Sequence, residues 1–269
     1  VNLAPASVKK IGSMFDLPII VALMKLGGVI EKDISDSVFI GELSLSGAVK
    51  SVKGVLPMVI AAKENGVKDI YLNLPYILNA RQDRVKNPED VFTLKYFADI
   101  INYLNFNAVQ VMDAHSNVST ALIDRIVSYE PKEYIDRTIQ ACNPDILFFP
   151  DEGAMKRYSG MAEIEYAFGI KKRDWATGKI EGLDVAGCVD KIKDSRILII
   201  DDICSRGGTF YHSAKKLKEL GAKEIYLYVT HCENTILEGE LLTSGLIEKV
   251  YTTNSIFTKE HEKIEVFEL

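Results

Sequence analysis

Asp201 and Asp202 stand directly before Ile203-Cys204-Ser205-Arg206-Gly207-Gly208-Thr209, the stretch of the chain richest in groups that could do chemistry. Adjacent carboxylates accept hydrogen bonds from the vicinal hydroxyls of a sugar ring or hold a hard divalent cation. The two glycines let backbone N–H groups close on an anion, and a helix opening there adds the positive end of its dipole. Ser205 and Thr209 supply hydroxyls and Arg206 a guanidinium. Acceptors for hydroxyls beside a cradle for an anion are the parts of a sugar-phosphate site.

Four other clusters carry reactive side chains: Ala80-Arg81-Gln82-Asp83-Arg84, Asp113-Ala114-His115-Ser116, Pro150-Asp151-Glu152-Gly153, and Lys171-Lys172-Arg173. A guanidinium such as Arg81 grips phosphate oxygens as a bidentate fork, with Gln82 beside it as a hydrogen-bonding partner. His115, next to a carboxylate, is able to act as metal ligand or as phosphate donor. His212, His231 and His261 fall in no such pattern.

These clusters need elements to hold them, and the chain supplies apolar runs of strand length at residues 70–74, 109–113, 146–149, 197–200 and 225–229. Helical spacing of apolar residues over 91–102 and 209–220 falls between them, and Gly221 is placed to cap the second helix. Strands alternating with helices predict an α/β protein with a largely parallel sheet, in which ligands sit beyond the carboxyl ends of the strands. Asp113, Asp151 and Asp201-Asp202 follow such ends.

The strand, acidic pair and glycine-rich turn resemble the signature shared by class I phosphoribosyltransferases and ribose-phosphate pyrophosphokinases. Arg81-Gln82-Asp83-Arg84 is similar to a nucleotide motif of the pyrophosphokinases alone, and Asp113-Ala114-His115 to their Asp-Leu-His motif. Asp151-Glu152-Gly153 and Lys171-Lys172-Arg173 resemble their Pro-Asp-x-Gly loop and the Lys-x-Arg of their catalytic loop. The likeness spans residues 73–269. It implies Arg81, Gln82, Asp83 and His115 on ATP, and Asp201, Asp202, Ser205, Arg206, Gly207, Gly208 and Thr209 on ribose phosphate. Lys171, Arg173 and His115 become catalytic, with Mg²⁺ at His115 and Asp151. It further implies ATP and ribose 5-phosphate as partners, a homo-oligomer and a cytoplasmic location. Ser205 and Arg206 depart from the family's usual residues. Arg206 motivates a second reading, diphosphate transfer to ADP-ribose; a third is a non-catalytic paralogue or chimera that binds sugar phosphates.

Residues 1–72 have a different character. Phe15-Asp16-Leu17-Pro18-Ile19, Phe39-Ile40-Gly41-Glu42-Leu43 and Gly54-Val55-Leu56-Pro57 resemble part of the N-terminal domain of ComM, a magnesium-chelatase-like helicase with a Lon-type fold. Met14 stands where a Lon protease has its serine, so no proteolysis is implied. The family's Phe-x-x-Gly-Glu-type strand for the adenine pocket is not expected in this segment. A strand at 38–40 and a helix at 57–65 ended by Gly66 are expected. The fold reading is a phosphoribosyltransferase-type parallel sheet domain, residues 140–269, preceded by a second α/β half. That half combines the Lon-like segment 1–72 with residues 73–139, which carry the ATP motifs.

Composition narrows the alternatives. A net charge of -6 argues against a protein that coats nucleic acid, which needs clustered cations. Residues 17–26 are apolar but too short to span a bilayer. Four scattered cysteines, Cys142, Cys188, Cys204 and Cys232, form no Cys-x-x-Cys pair and read as free thiols.

Overall fold

The computed structural model describes residues 15–269 other than 36, 45, 46, 48, 51, 86 and 174–179, and for 171–173 and 180–182 the backbone alone. Met14 and the polar stretch 174–179 lie outside the described residues. In chain order the elements are α1 (Asp16–Leu26), β1 (Glu42–Leu43), β2 (Val49–Lys50), α2 (Val55–Glu64), β3 (Tyr71–Asn73), α3 (Thr93–Tyr103), β4 (Ala108–Met112), α4 (Asn117–Leu122), β5 (Ile126–Tyr129) and α5 (Lys132–Cys142). They continue with β6 (Ile146–Phe149), α6 (Glu152–Tyr158), β7 (Tyr166–Arg173), β8 (Ile180–Gly187), β9 (Arg196–Cys204), α7 (Gly208–Glu219), β10 (Glu224–Cys232), β11 (Lys249–Thr253) and β12 (Ile264–Phe267).

Two sheets carry the architecture. The larger has seven strands in the order β12-β11-β10-β9-β6-β7-β8, parallel except for the β7–β8 hairpin. Its central strands are buried on both faces, which is why residues 197–200 and 146–149 read as unbroken apolar runs. Ile197, Ile199, Ile225 and Leu227 face Phe210, Ala214 and Leu217 of α7, whereas Leu198, Ile200 and Tyr228 face Tyr134 and Ile135 of α5 and Tyr158 of α6. Helices on both faces thus sandwich the sheet.

The smaller sheet, β3-β4-β5, is parallel, and Val109 and Val111 pack beneath Leu94, Ala98 and Ile101 of α3 and Val59 of α2. The helices begin within two residues of the expected positions. Pro57 sits in the first turn of α2, where a missing N–H costs nothing, and Gly66 and Gly221 adopt φ +85° and +91° just beyond α2 and α7.

One expectation is corrected. Residues 38–40 form no strand; regular pairing starts at Glu42, opposite Lys50, in a two-residue antiparallel ladder. Gly41 is instead held against α1, where Leu17 N–H donates to its carbonyl at 3.3 Å. Among the described residues no helix is long and apolar enough to cross a membrane.

Candidate active site

Strand β9 carries its apolar run to the interior and emerges as Asp201 and Asp202, and the chain then turns through Ser205-Arg206-Gly207 into α7. Gly207 caps that helix at φ 81°, and any Cβ there would stand 3.0 Å from Leu241. The turn is buttressed from below by Gly239, where an added Cβ would lie 1.9 Å from the Arg206 carbonyl oxygen. Only glycine permits so close an approach.

A cleft of about 1060 Å³ opens above these strand ends, between the two sheets. Arg81, His115, Asp151, Asp201, Asp202 and Thr209 line it, so the nucleotide-type and sugar-type motifs converge on one space. Two contacts join them directly. His115 Nδ1 lies 2.5 Å from Asp202 Oδ2, and Arg81 Nη1 donates to Ser205 Oγ at 3.3 Å.

The electrostatics separate the acidic pair. Burial pushes the Asp201 carboxyl well above the usual carboxylate range, and the charge of Asp202 reinforces this. Burial would do the same to Asp202, but the His115 hydrogen bond and the charges of His115 and Arg157 outweigh it and hold Asp202 low. Beneath them lies Asp113, at φ +46° and 4% exposed, whose carboxylate accepts from Tyr158 Oη at 2.9 and 2.8 Å and from Thr230 Oγ1. Burial, helped by Asp202, pushes Asp113 up to about 7.

Several other expected residues lie apart from the wall. Asp83 is buried and spends its carboxylate on Arg84, at 2.7 and 2.9 Å, which places Arg84 rather than Asp83 on the cleft. Gln82 is exposed, and its backbone carbonyl accepts from Leu94 N–H. Ser205, Gly207 and Gly208 shape the turn. Arg206 points to Glu238 at 3.0 Å, off the lining, which removes the residue that motivated a larger sugar. Lys171 and Arg173 occupy the end of β7, paired with Leu183 and Ile180; their side chains lie outside the described residues. Asp151 lines the cleft and caps α6 by accepting from Ala154 N–H at 3.1 Å.

Three residues were given no role from sequence. Arg157, in the last turn of α6, donates to the His115 carbonyl and lies 3.6 Å from Asp202. Gly239 offered no local pattern, because its partner is 33 residues away. His231 is buried in β10, its Nε2 3.0 Å from the Met112 carbonyl and its Nδ1 2.8 Å from Ser255 Oγ. Burial pushes it down to about 4. All four cysteines are free, with Cys204 and Cys232 opposite each other on β9 and β10.

Comparison with known proteins decides the family. Ribose-phosphate pyrophosphokinase from Aquifex aeolicus (strain VF5) is 32% identical over 233 residues, covering 83% of this chain and 74% of that protein. The chain belongs to the ribose-phosphate pyrophosphokinase family. The family's enzyme from Pyrococcus furiosus is 29% identical over 204 residues, covering 74% of this chain and 71% of its own length. The crystal structure of phosphoribosylpyrophosphate synthetase from Mycobacterium smegmatis shares the fold, with a TM-score of 0.67 at 21% identity over 79% of this chain and 72% of that one. Residues 1–74 match a different family model, that of "Subunit ChlI of Mg-chelatase". Because a match over 83% of this chain is longer than residues 73–269, the pyrophosphokinase likeness extends further toward the N-terminus than expected and overlaps the chelatase-like segment.

Proposed function

We propose that the chain transfers the β,γ-diphosphoryl group of ATP to the anomeric oxygen of ribose 5-phosphate. The sugar oxygen bonds to the β-phosphorus and loses its proton, the bond from that phosphorus to the oxygen bridging it to the α-phosphorus breaks, and AMP leaves. The observation that carries this reading is the meeting of His115 and Asp202 at 2.5 Å in a cleft that also holds Arg81 and Thr209.

In this reading Asp201 and Asp202 hold the ribose hydroxyls, and Ser205, Gly207, Gly208 and Thr209 hold the 5-phosphate at the opening of α7. Arg81 and His115 take the nucleotide phosphates, with Gln82 and Asp83 supporting Arg81 and Arg84. Lys171 and Arg173, at the end of the β7–β8 hairpin, neutralise charge that develops on the transferring group. Residues 140–269 form the sugar half and residues 73–139 the nucleotide half. Asp151 and His115, both on the cleft wall, would hold a magnesium ion, which takes one or two protein ligands and otherwise coordinates substrate phosphates and water. Such an ion supplies charge neutralisation for the diphosphoryl group.

The test is release of AMP from ATP in the presence of ribose 5-phosphate, by wild type and by Asp202→Asn. Asp202→Asn should lower turnover at least about a hundredfold, roughly 3 kcal/mol of barrier, with the protein still folded. Undiminished turnover in that variant would remove the sugar from this cleft, and no AMP from the wild type would remove the reaction.

A further inference from the structure

We propose that Arg157 is the positioning residue that locks the nucleotide side of the cleft to the sugar side, an inference that rests on the pyrophosphokinase reading. Its backbone belongs to α6, packed on the seven-stranded sheet, and its guanidinium reaches across to the other half of the site. Nη2 donates to the backbone carbonyl of His115, on the loop leaving β4 of the smaller sheet. Nη1 lies 3.6 Å from Asp202 Oδ2 on β9, 3.9 Å from Asp113 Oδ1 and 3.3 Å from Tyr158 Oη. The side chain is 28% exposed, and its planar group is 5.5 Å from the Tyr158 ring centre. One rigid fork therefore touches the backbone of a nucleotide-side residue and the carboxylate of a sugar-side residue.

The helix that carries Arg157 strengthens the argument. Asp151 caps the start of α6 on the cleft wall, so the register of one short helix fixes both Asp151 and Arg157. A lysine could neutralise Asp202 or reach the His115 carbonyl, but as a point charge on a flexible stem it does not hold both in one plane. In-line transfer is sensitive to such placement, since a misplacement of about 1 Å costs about a hundredfold. Neutralising buried Asp113 is the competing role, and it requires only charge.

The two roles separate in Arg157→Lys, which keeps the charge and loses the fork, with Arg157→Met removing both. Arg157→Lys should fold with little change in thermal midpoint and lose at least about tenfold in kcat, while KM for ATP and for ribose 5-phosphate stays within about threefold. Arg157→Met should lose more. Wild-type kcat in folded Arg157→Lys, or a loss carried by KM alone, overturns the proposal. If the Met variant fails to fold, the Lys variant decides by itself. A wild-type chain that releases no AMP overturns the underlying reading, whereas active wild type with equally active Arg157→Lys overturns this inference alone.

Discussion

Neighbouring carboxylates on one strand reach opposite states here because their surroundings differ. Asp202 has His115 and Arg157 against it, and Asp201 has Asp202. The same logic makes His231 a source of acid sensitivity. Its folded value of about 4 lies below the 6.5 of the free side chain, so between these values the unfolded chain binds more protons and stability rises with pH. This contribution is complete above pH 6.5 and is lost as pH falls toward 4, amounting to about 3 kcal/mol. Asp113, raised to about 7, gives an opposing slope over the whole of this range. The informative measurement is therefore the difference in unfolding free energy between wild type and His231→Gln from pH 4 to 7.5. It should flatten above 6.5 and move in favour of the variant below it; a pH-independent difference would mean that burial in the folded protein does not lower the proton affinity of His231. At this scale the sequence showed the residues that belong to contiguous motifs. Arg157 and His231 draw their roles from partners such as the His115 and Met112 carbonyls, 42 and 119 positions away, which the local sequence does not name.

Strand β9 was legible because burial on both faces demands an unbroken apolar run, and α7 because its buried face recurs every three or four residues. The strand expected at 38–40 failed for the complementary reason: a strand exists only where a partner offers a ladder, and the sequence does not print its partners. The turn between β9 and α7 shows both sides at once. Its glycines announce an anion cradle, yet its shape depends on Gly239 beneath it, from a different part of the chain. Gly239→Ala should force the Arg206 carbonyl away and deform the turn, because 1.9 Å is far inside contact distance. Titration of the folded variant should show ribose 5-phosphate affinity reduced at least about tenfold and ATP affinity little changed, the signature of an element damaged on one side of the cleft. Equal losses for both ligands would mean that the loop acts on the whole site.

Across the whole molecule the cores divide the chain more sharply than the sheets do. Helix α5 begins just beyond β5 of the smaller sheet but buries Tyr134 and Ile135 in the larger unit, so the connection between halves runs along one wall of the cleft. Among the described residues the first to enter a core cluster are Val55 and Val59 of α2, while α1 rests on β1. Removal of residues 1–53 should therefore leave KM for ATP and for ribose 5-phosphate within about threefold. A larger rise in either would show that the chelatase-like segment contributes to the site. Every described residue on the cleft wall falls between Arg81 and Phe210. In terms of heredity, a recombination that joined two genes ahead of Arg81 would have carried the wall across intact. Substitutions accumulating in front of that point would then leave every described residue of the wall unchanged.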